Sequence, residues 1–151
     1  MVRYEEVVND VSKLPYFVDY YEKELYAAKK ECKIGGMLER QVQELPGITE
    51  HRFNQLQEIE ALLNYLNIMH RQTRKAKYMK FLQGYNQTLS SRDAQIYADA
   101  EDDVINSDLL INEIALLRNK FLGIMKSIES KNFQLGHISK LRVAGLEDVS
   151  I

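Results

Sequence analysis

Residues 49–89, TEHRFNQLQEIEALLNYLNIMHRQTRKAKYMKFLQGYNQTL, decide the fold. The stretch holds no proline and only one glycine, Gly84, and it is rich in Leu, Gln, Glu and Lys. Nothing in it breaks a helix before Gly84. Thr49 is the expected N-cap, with Glu50 in the first turn. The stretch predicts one helix of about 35–40 residues, or two joined near Gly84. At 1.5 Å per residue such a helix is on the order of 50–60 Å long, too long to stand alone in a compact chain of 151 residues. It calls for an antiparallel neighbour or for other subunits.

Downstream, Ser90 is the next N-cap, with Asp93 three residues on in a variant capping box. A second long helix is expected over roughly 91–129, with Val104, Leu110, Ile114, Leu117, Phe121, Ile124 and Ile128 among its apolar positions. Lys131-Asn132 reads as a break, followed by a last short helix over about 137–144 that carries Ile138 and Leu141 and is capped by Gly145. Upstream, Pro46-Gly47 reads as a turn after a short Met37–Leu45 helix. Residues 16–33 form an aromatic-rich helix with a basic last turn, stopped by Gly35-Gly36. Residues 4–14 form a short amphipathic helix, and Pro15 ends it or starts the next element. No segment has sustained strand periodicity, and no internal repeat is present. The expected architecture is all-α: a long antiparallel helical hairpin over 49–151 with shorter flanking helices, preceded by an N-terminal helical segment, 1–48, of unassigned role. Together they make one structural domain.

Charge is distributed unevenly along this frame. The chain is net −2, yet no Asp or Glu occurs between Glu60 and Asp93, where Arg71, Arg74, Lys75, Lys77, Lys80 and Arg92 all fall. Separation of sign on this scale concerns partners rather than fold. On a helix, Leu62, Leu63, Leu66 and Met69 form a buried stripe, and Lys77 and Lys80 stand where that stripe would continue. The apolar side passes instead to Tyr78, Phe81, Leu82 and Tyr85, a rotation of about a quarter turn near residue 72. Those cations must face water, an acid or a phosphate. In one reading, cations around Tyr78 and Phe81 track a nucleic-acid backbone while the rings stack on bases. In the other, the basic arm is solvated or pairs with the chain's own acids. Asp93, Asp99, Glu101, Asp102, Asp103, Asp108 and Glu113 follow in a stretch without Lys or Arg, which a hairpin folded at Ser90 would bring alongside.

Other chemistry finds little support. Asp99, Asp102 and Asp103 have i, i+3, i+4 spacing, which suits Mg²⁺ but more often marks a solvated acidic face. His51, His70 and His137 are scattered and lack cysteine partners, so neither a zinc site nor any other cofactor is expected. There is no phosphate-binding glycine loop and no local nucleophile signature. The chain reads as a non-enzyme. Lys131 and Arg142 suit either a second phosphate contact or helix C-terminal charges. Cys32 is the single cysteine, the N-terminus lacks a signal peptide's apolar run, and no stretch spans a bilayer. A soluble, intracellular protein with no membrane partner is expected.

Three segments carry a family resemblance. IMKSIESKNFQLGHISKLR (124–142) resembles the end of the UvsY family, the recombination mediators of T-even-like bacteriophages. ADAEDDV (98–104) and KAKYMKFLQG (75–84) resemble two further family segments in the same order. The similarity covers about residues 55–145, and residues 1–48 lie outside it. It implies a protein that binds single-stranded DNA, forms a ring-like homo-oligomer, and helps the phage recombinase replace the single-strand-binding protein. It implies the cytoplasm of an infected bacterial host. Carried over, Lys75 and Lys77 hold the positions of the family's basic DNA-binding segment; the charge pattern adds Arg71, Arg74 and Lys80 in support and leaves Tyr78 and Phe81 undecided between stacking and core. Lys77 stands where the family has arginine, so a bidentate fork to phosphate is lost there. The C-terminal region implies oligomerisation through Leu117, Phe121, Ile124, Ile128, Ile138 and Leu141.

Overall fold

A computed structural model describes residues 1–84 and 89–146. Among the described residues all regular structure is helical: α1 (Tyr4–Asn9), a 3-10 turn (Val11–Lys13), α2 (Leu14–Glu31), α3 (Leu38–Gln83), α4 (Ser91–Asp99) and α5 (Asp102–Val143). The all-α expectation is met. Several of the expected boundaries are not.

Helix α3 starts eleven residues before Thr49, at Leu38, and passes through Pro46-Gly47 without a turn. Proline costs a helix interior the amide that would bond four residues back, about 3 kcal/mol. Here the loss is confined to the surface, because Pro46 and Val42, whose carbonyl loses its partner, are both exposed. Leu45, next to the proline, is buried at the start of the seam that continues through Leu56, Ile59, Leu62, Leu63 and Leu66. Burial along that seam outweighs a single surface defect. Thr49 is therefore no cap: its hydroxyl donates to the Leu45 carbonyl at 2.8 Å inside the helix. At 46 residues α3 is about 69 Å long. It ends at Gly84, where a Cβ would lie 2.6 Å from the Lys80 carbonyl oxygen, so any other residue would force the backbone to shift there.

The second long helix is also differently divided. Ser90 caps α4 as expected, accepting from the Asp93 amide at 3.1 Å. The helix then breaks at Ala100-Glu101, and α5 starts afresh from Glu101 in extended conformation. Asp102 and Asp103 occupy the first turn of α5, where the helix dipole favours acids. Helix α5 then runs unbroken to Val143, through the expected break at Lys131-Asn132. Its buried positions explain why: Ile114, Leu117, Phe121, Ile124, Ile128, Lys131 and Leu135 alternate spacings of three and four. This is the seam of a coiled-coil-like pair, and Lys131 occupies a core position in it. The Lys131 ammonium donates to the Glu31 carbonyl at 2.7 Å, at the C-terminal end of α2. The charge meets a helix dipole, as one of the two sequence readings had it, but that of another helix.

Helices α3 and α5 make the main packing contact. The start of α3, around Leu45, meets α5 around Ile128, while Lys77 near its far end meets Asp103. Helix α2 adds a third wall. Phe17 and Tyr21 are fully buried, and Tyr21 packs edge-on to Phe121 at 5.9 Å. Val7 of α1 is buried in the same core, and the Tyr4 amide donates to the Glu58 carboxylate at 2.9 Å. Residues 1–48 thus complete the core rather than hang from it.

The core contains one polar layer. Arg52 is 3% exposed. Its guanidinium donates to both Glu31 oxygens at 2.7 Å, to Glu24 at 2.6 Å and to Gln55 at 2.8 Å. Burial pushes the Glu24 carboxyl up, but hydrogen bonds from Gln55 and Arg52 outweigh it and hold the group below its ordinary value. A carboxyl depressed in this way contributes stability that is present above its unfolded value, near 4.5, and lost as pH falls through the folded one. Arg52→Ala strands two carboxylates and is expected to cost about 2–4 kcal/mol in urea unfolding at neutral pH. Unfolding midpoints taken at successively lower pH should fall more steeply for the parent than for Arg52→Met. Parallel slopes would show that the layer is not coupled to Glu24.

Candidate nucleic-acid interface

Beyond Leu66 the α3–α5 seam changes character. Met69, expected in the stripe, is 40% exposed. The next contacts are polar: His70 Nδ1 lies 3.1 Å from Ser107 Oγ, and its Nε2 lies 3.2 Å from an Asp108 carboxylate oxygen. Seven residues on, Lys77 reaches Asp103 at 3.0 Å and Glu101 at 3.8 Å. Lys80 reaches Glu101 at 3.7 Å. Arg74 forks Asp99 with Nε at 2.6 Å and a terminal nitrogen at 3.0 Å. The break at Ala100-Glu101 sets these acids at a corner that faces the basic arm. Bonds to Asp99 hold the Arg74 guanidinium above its ordinary range, and Asp103, then Glu101, do the same for the Lys77 ammonium.

The sequence-predicted cations therefore divide into two sets. Arg74, Lys77 and Lys80 are engaged by the chain's own acids. Arg71 and Lys75 are exposed and form no ion pair with a described residue. Of the two rings, Phe81 is 6% exposed and packs with Ala94 and Ala98 in a small cluster separate from the main core. Its ring lies 5.6 Å from that of Tyr97. It is a core residue here. Tyr78 is half-buried at the edge of that cluster, with its hydroxyl 3.0 Å from Ser91 Oγ. Tyr85 lies outside the described residues.

Where α3 meets α4, a cleft of about 370 Å³ opens. One wall is Arg71, Arg74, Lys75 and Tyr78 of α3; the other is Ser91, Gln95 and Ala98 of α4. The α3 residues at 71, 75 and 78 share a face, as do 91, 95 and 98 on α4. Among the described residues no acid lines the cleft, because Asp99 is turned to Arg74. Sequence reasoning missed Ser91 and Gln95. The only signal for them was their spacing on a helix whose packing could not be placed from sequence.

The residues expected to oligomerise also divide. Leu117, Phe121, Ile124 and Ile128 are buried in the chain's own core, because α2 and α3 already cover that face of α5. Ile138 is half-buried and Leu141 is 48% exposed; Phe133 at 65% and Val143 at 90% are exposed on the same helix. A second apolar surface, also unforeseen, is a groove of about 900 Å³ between α3 and α5, which includes Val42, Phe53, Leu122 and Met125.

Among the described residues no group of three or more His, Cys, Asp or Glu converges on a metal-sized site. Asp99 and Asp103 are engaged by Arg74 and Lys77, and Asp102 opens α5. Ser107, His70 and Asp108 are in contact, but Ser107 sits inside α5, where backbone amides are already bonded within the helix. No helix among the described residues is long and apolar enough to cross a membrane. Compared with protein-family profiles, curated proteins and solved structures, the chain matches none.

The geometry assigns the hold on α4 to the Phe81 cluster rather than to the ion pairs. Exposed pairs are worth below about 1 kcal/mol, whereas a buried ring is worth about 3 kcal/mol or more. Asp99→Asn should leave the melting temperature within a few degrees of the parent. Phe81→Ala should speed tryptic cleavage after Arg92 while the helical circular dichroism of the main core persists. Slow cleavage after Arg92 in Phe81→Ala, or fast cleavage in Asp99→Asn, would reverse this assignment.

Proposed function

We propose that this chain binds single-stranded DNA without sequence preference and acts as a recombination mediator. It helps load a phage recombinase in place of single-strand-binding protein in the cytoplasm of an infected bacterial host. The observation that carries this reading is the pair Arg71 and Lys75, exposed beside Tyr78 at the mouth of an acid-free cleft. Cations with no acid partner beside a ring are what a flexible, stacked, anionic strand requires. The ordered resemblance at 75–84, 98–104 and 124–142 names the process. In this reading α3 and α5 form an antiparallel hairpin that holds the basic end away from the α2-covered core. Ile138 and Leu141, near the exposed Phe133 and Val143, join copies into a ring-like homo-oligomer. The protein is no enzyme: it presents the strand. Each subunit binds weakly, and several subunits on one strand multiply the effect by avidity. A strand held by many weak sites is readily shared with, and passed to, other DNA-binding proteins.

The pairing of Arg74, Lys77 and Lys80 with Asp99, Glu101 and Asp103 favours a second reading. In it the chain is a helical adaptor whose basic arm is largely neutralised and docks an acidic protein partner. Salt dependence separates the two. Two free cations per subunit give a slope of log affinity against log salt of about −1.4, and all five give about −3.5. Anisotropy titrations of a labelled oligonucleotide should give the smaller value for the parent and a steeper one for Asp99→Asn/Asp103→Asn. Arg71→Ala/Lys75→Ala should abolish binding at moderate salt. If the parent shows no affinity there while native mass spectrometry still finds the oligomer, the adaptor reading is the correct one.

A further inference from the structure

Resting on the single-strand reading above, we infer that the α3–α4 cleft is a subsite for one nucleotide, which clamps a phosphate on its α3 rim and a base on its α4 wall. Three observations converge on it. First, the volume, about 370 Å³, is at the small end of ligand pockets and suits one nucleotide rather than a peptide segment. Second, its two walls differ in chemistry. The α3 rim carries the guanidinium of Arg71 and the ammonium of Lys75 one helical turn apart, which suits an anion. The α4 wall is neutral: the exposed Gln95 amide hydrogen-bonds to no described residue and offers both a donor and an acceptor. Third, Ala98 and the Tyr78 ring add apolar surface to the two walls. Ala98 is fully buried, and the Tyr78 ring is held by its bond to Ser91 at 3.0 Å.

A phosphate, a flat ring and a polar base edge match that sequence of surfaces. An acidic peptide matches only the rim, since it has nothing to place against the amide and would favour cations on both walls. Gln95 can turn its amide to suit any base edge, so the subsite distinguishes a strand with bases from one without, and does not select sequence.

Anisotropy with the full chain tests this, comparing labelled oligo(dT) with an abasic oligomer of equal length and charge. The parent should bind oligo(dT) about tenfold more tightly, as one stacked base per subunit would give. Gln95→Ala, an exposed change with no packing role, should shrink that ratio without altering abasic affinity. Tyr78→Leu should do the same, and Arg71→Ala should weaken both strands alike. Equal parental affinity for the two strands, or equal weakening of both by Gln95→Ala, overturns the subsite while leaving DNA binding intact. Binding of neither strand overturns the single-strand reading and the subsite with it. A polyglutamate peptide that competes as well as oligo(dT) would make the cleft a peptide site and overturn the nucleotide.

Discussion

The seam between α3 and α5 changes chemistry part-way along its length, and the rest of the molecule depends on where it does so. From Leu45 to Leu66 on α3, and from Leu135 back to Ile114 on α5, the contact is apolar and close-packed. Past Leu66 the same two helices meet through His70 with Asp108, then Lys77 with Asp103. Apolar burial supplies most of the free energy of such a pair, while exposed ion pairs supply little. One end of the α3–α5 contact is therefore the main core, and toward the other end ion pairs stand beside the small apolar cluster of Phe81, Ala94 and Ala98. A helix as long as α3 can serve both purposes only if it is rigid across the change, and its lack of breakers beyond Gly47 makes it so.

The polar layer within the core has a different role. Arg52, Gln55, Glu24, Glu31 and Lys131 sit among leucines and bond to one another or to the end of α2. Buried charge of this kind seldom adds net stability over apolar packing, but a mismatched register would leave it unsatisfied. Two helices with three-four repeats can slide by a heptad at small apolar cost. Fixing Lys131 on the Glu31 carbonyl and Arg52 on two carboxylates of α2 ties all three helices to one register. That register carries the basic arm to the acidic corner and leaves Arg71 and Lys75 outside it.

Much of this was legible in the residues. Helical class, the cap at Ser90, a possible joint near Gly84 and the Leu62–Leu66 stripe follow from composition and period. So does the conflict at Lys77 and Lys80, which stand where leucines had been buried. Lys131 was not legible as a core residue, because a lysine in a three-four seam looks like a break until its partner carbonyl, 100 positions away in sequence, is in place. Pro46 was not legible either: its cost is local, while the burial of Leu45 that offsets it is tertiary. The break at Ala100-Glu101 carries no glycine or proline and is set by α4 folding onto Phe81. Which cations pair and which stay free was equally a matter of packing, and it divides a uniform-looking basic run into two working sets.

If the chain binds a single strand as proposed, the strand lies at the end of the molecule formed by α3 and α4, not at the basic end of α2. Ultraviolet crosslinking of a 5-bromouracil-substituted oligonucleotide, followed by peptide mapping, distinguishes the two ends. Adducts should be confined to peptides that hold Arg71–Tyr78 and Ser91–Ala98. Adducts concentrated instead on Tyr26 and its neighbours Lys29, Lys30 and Lys33 would contradict it, and so would the absence of any adduct.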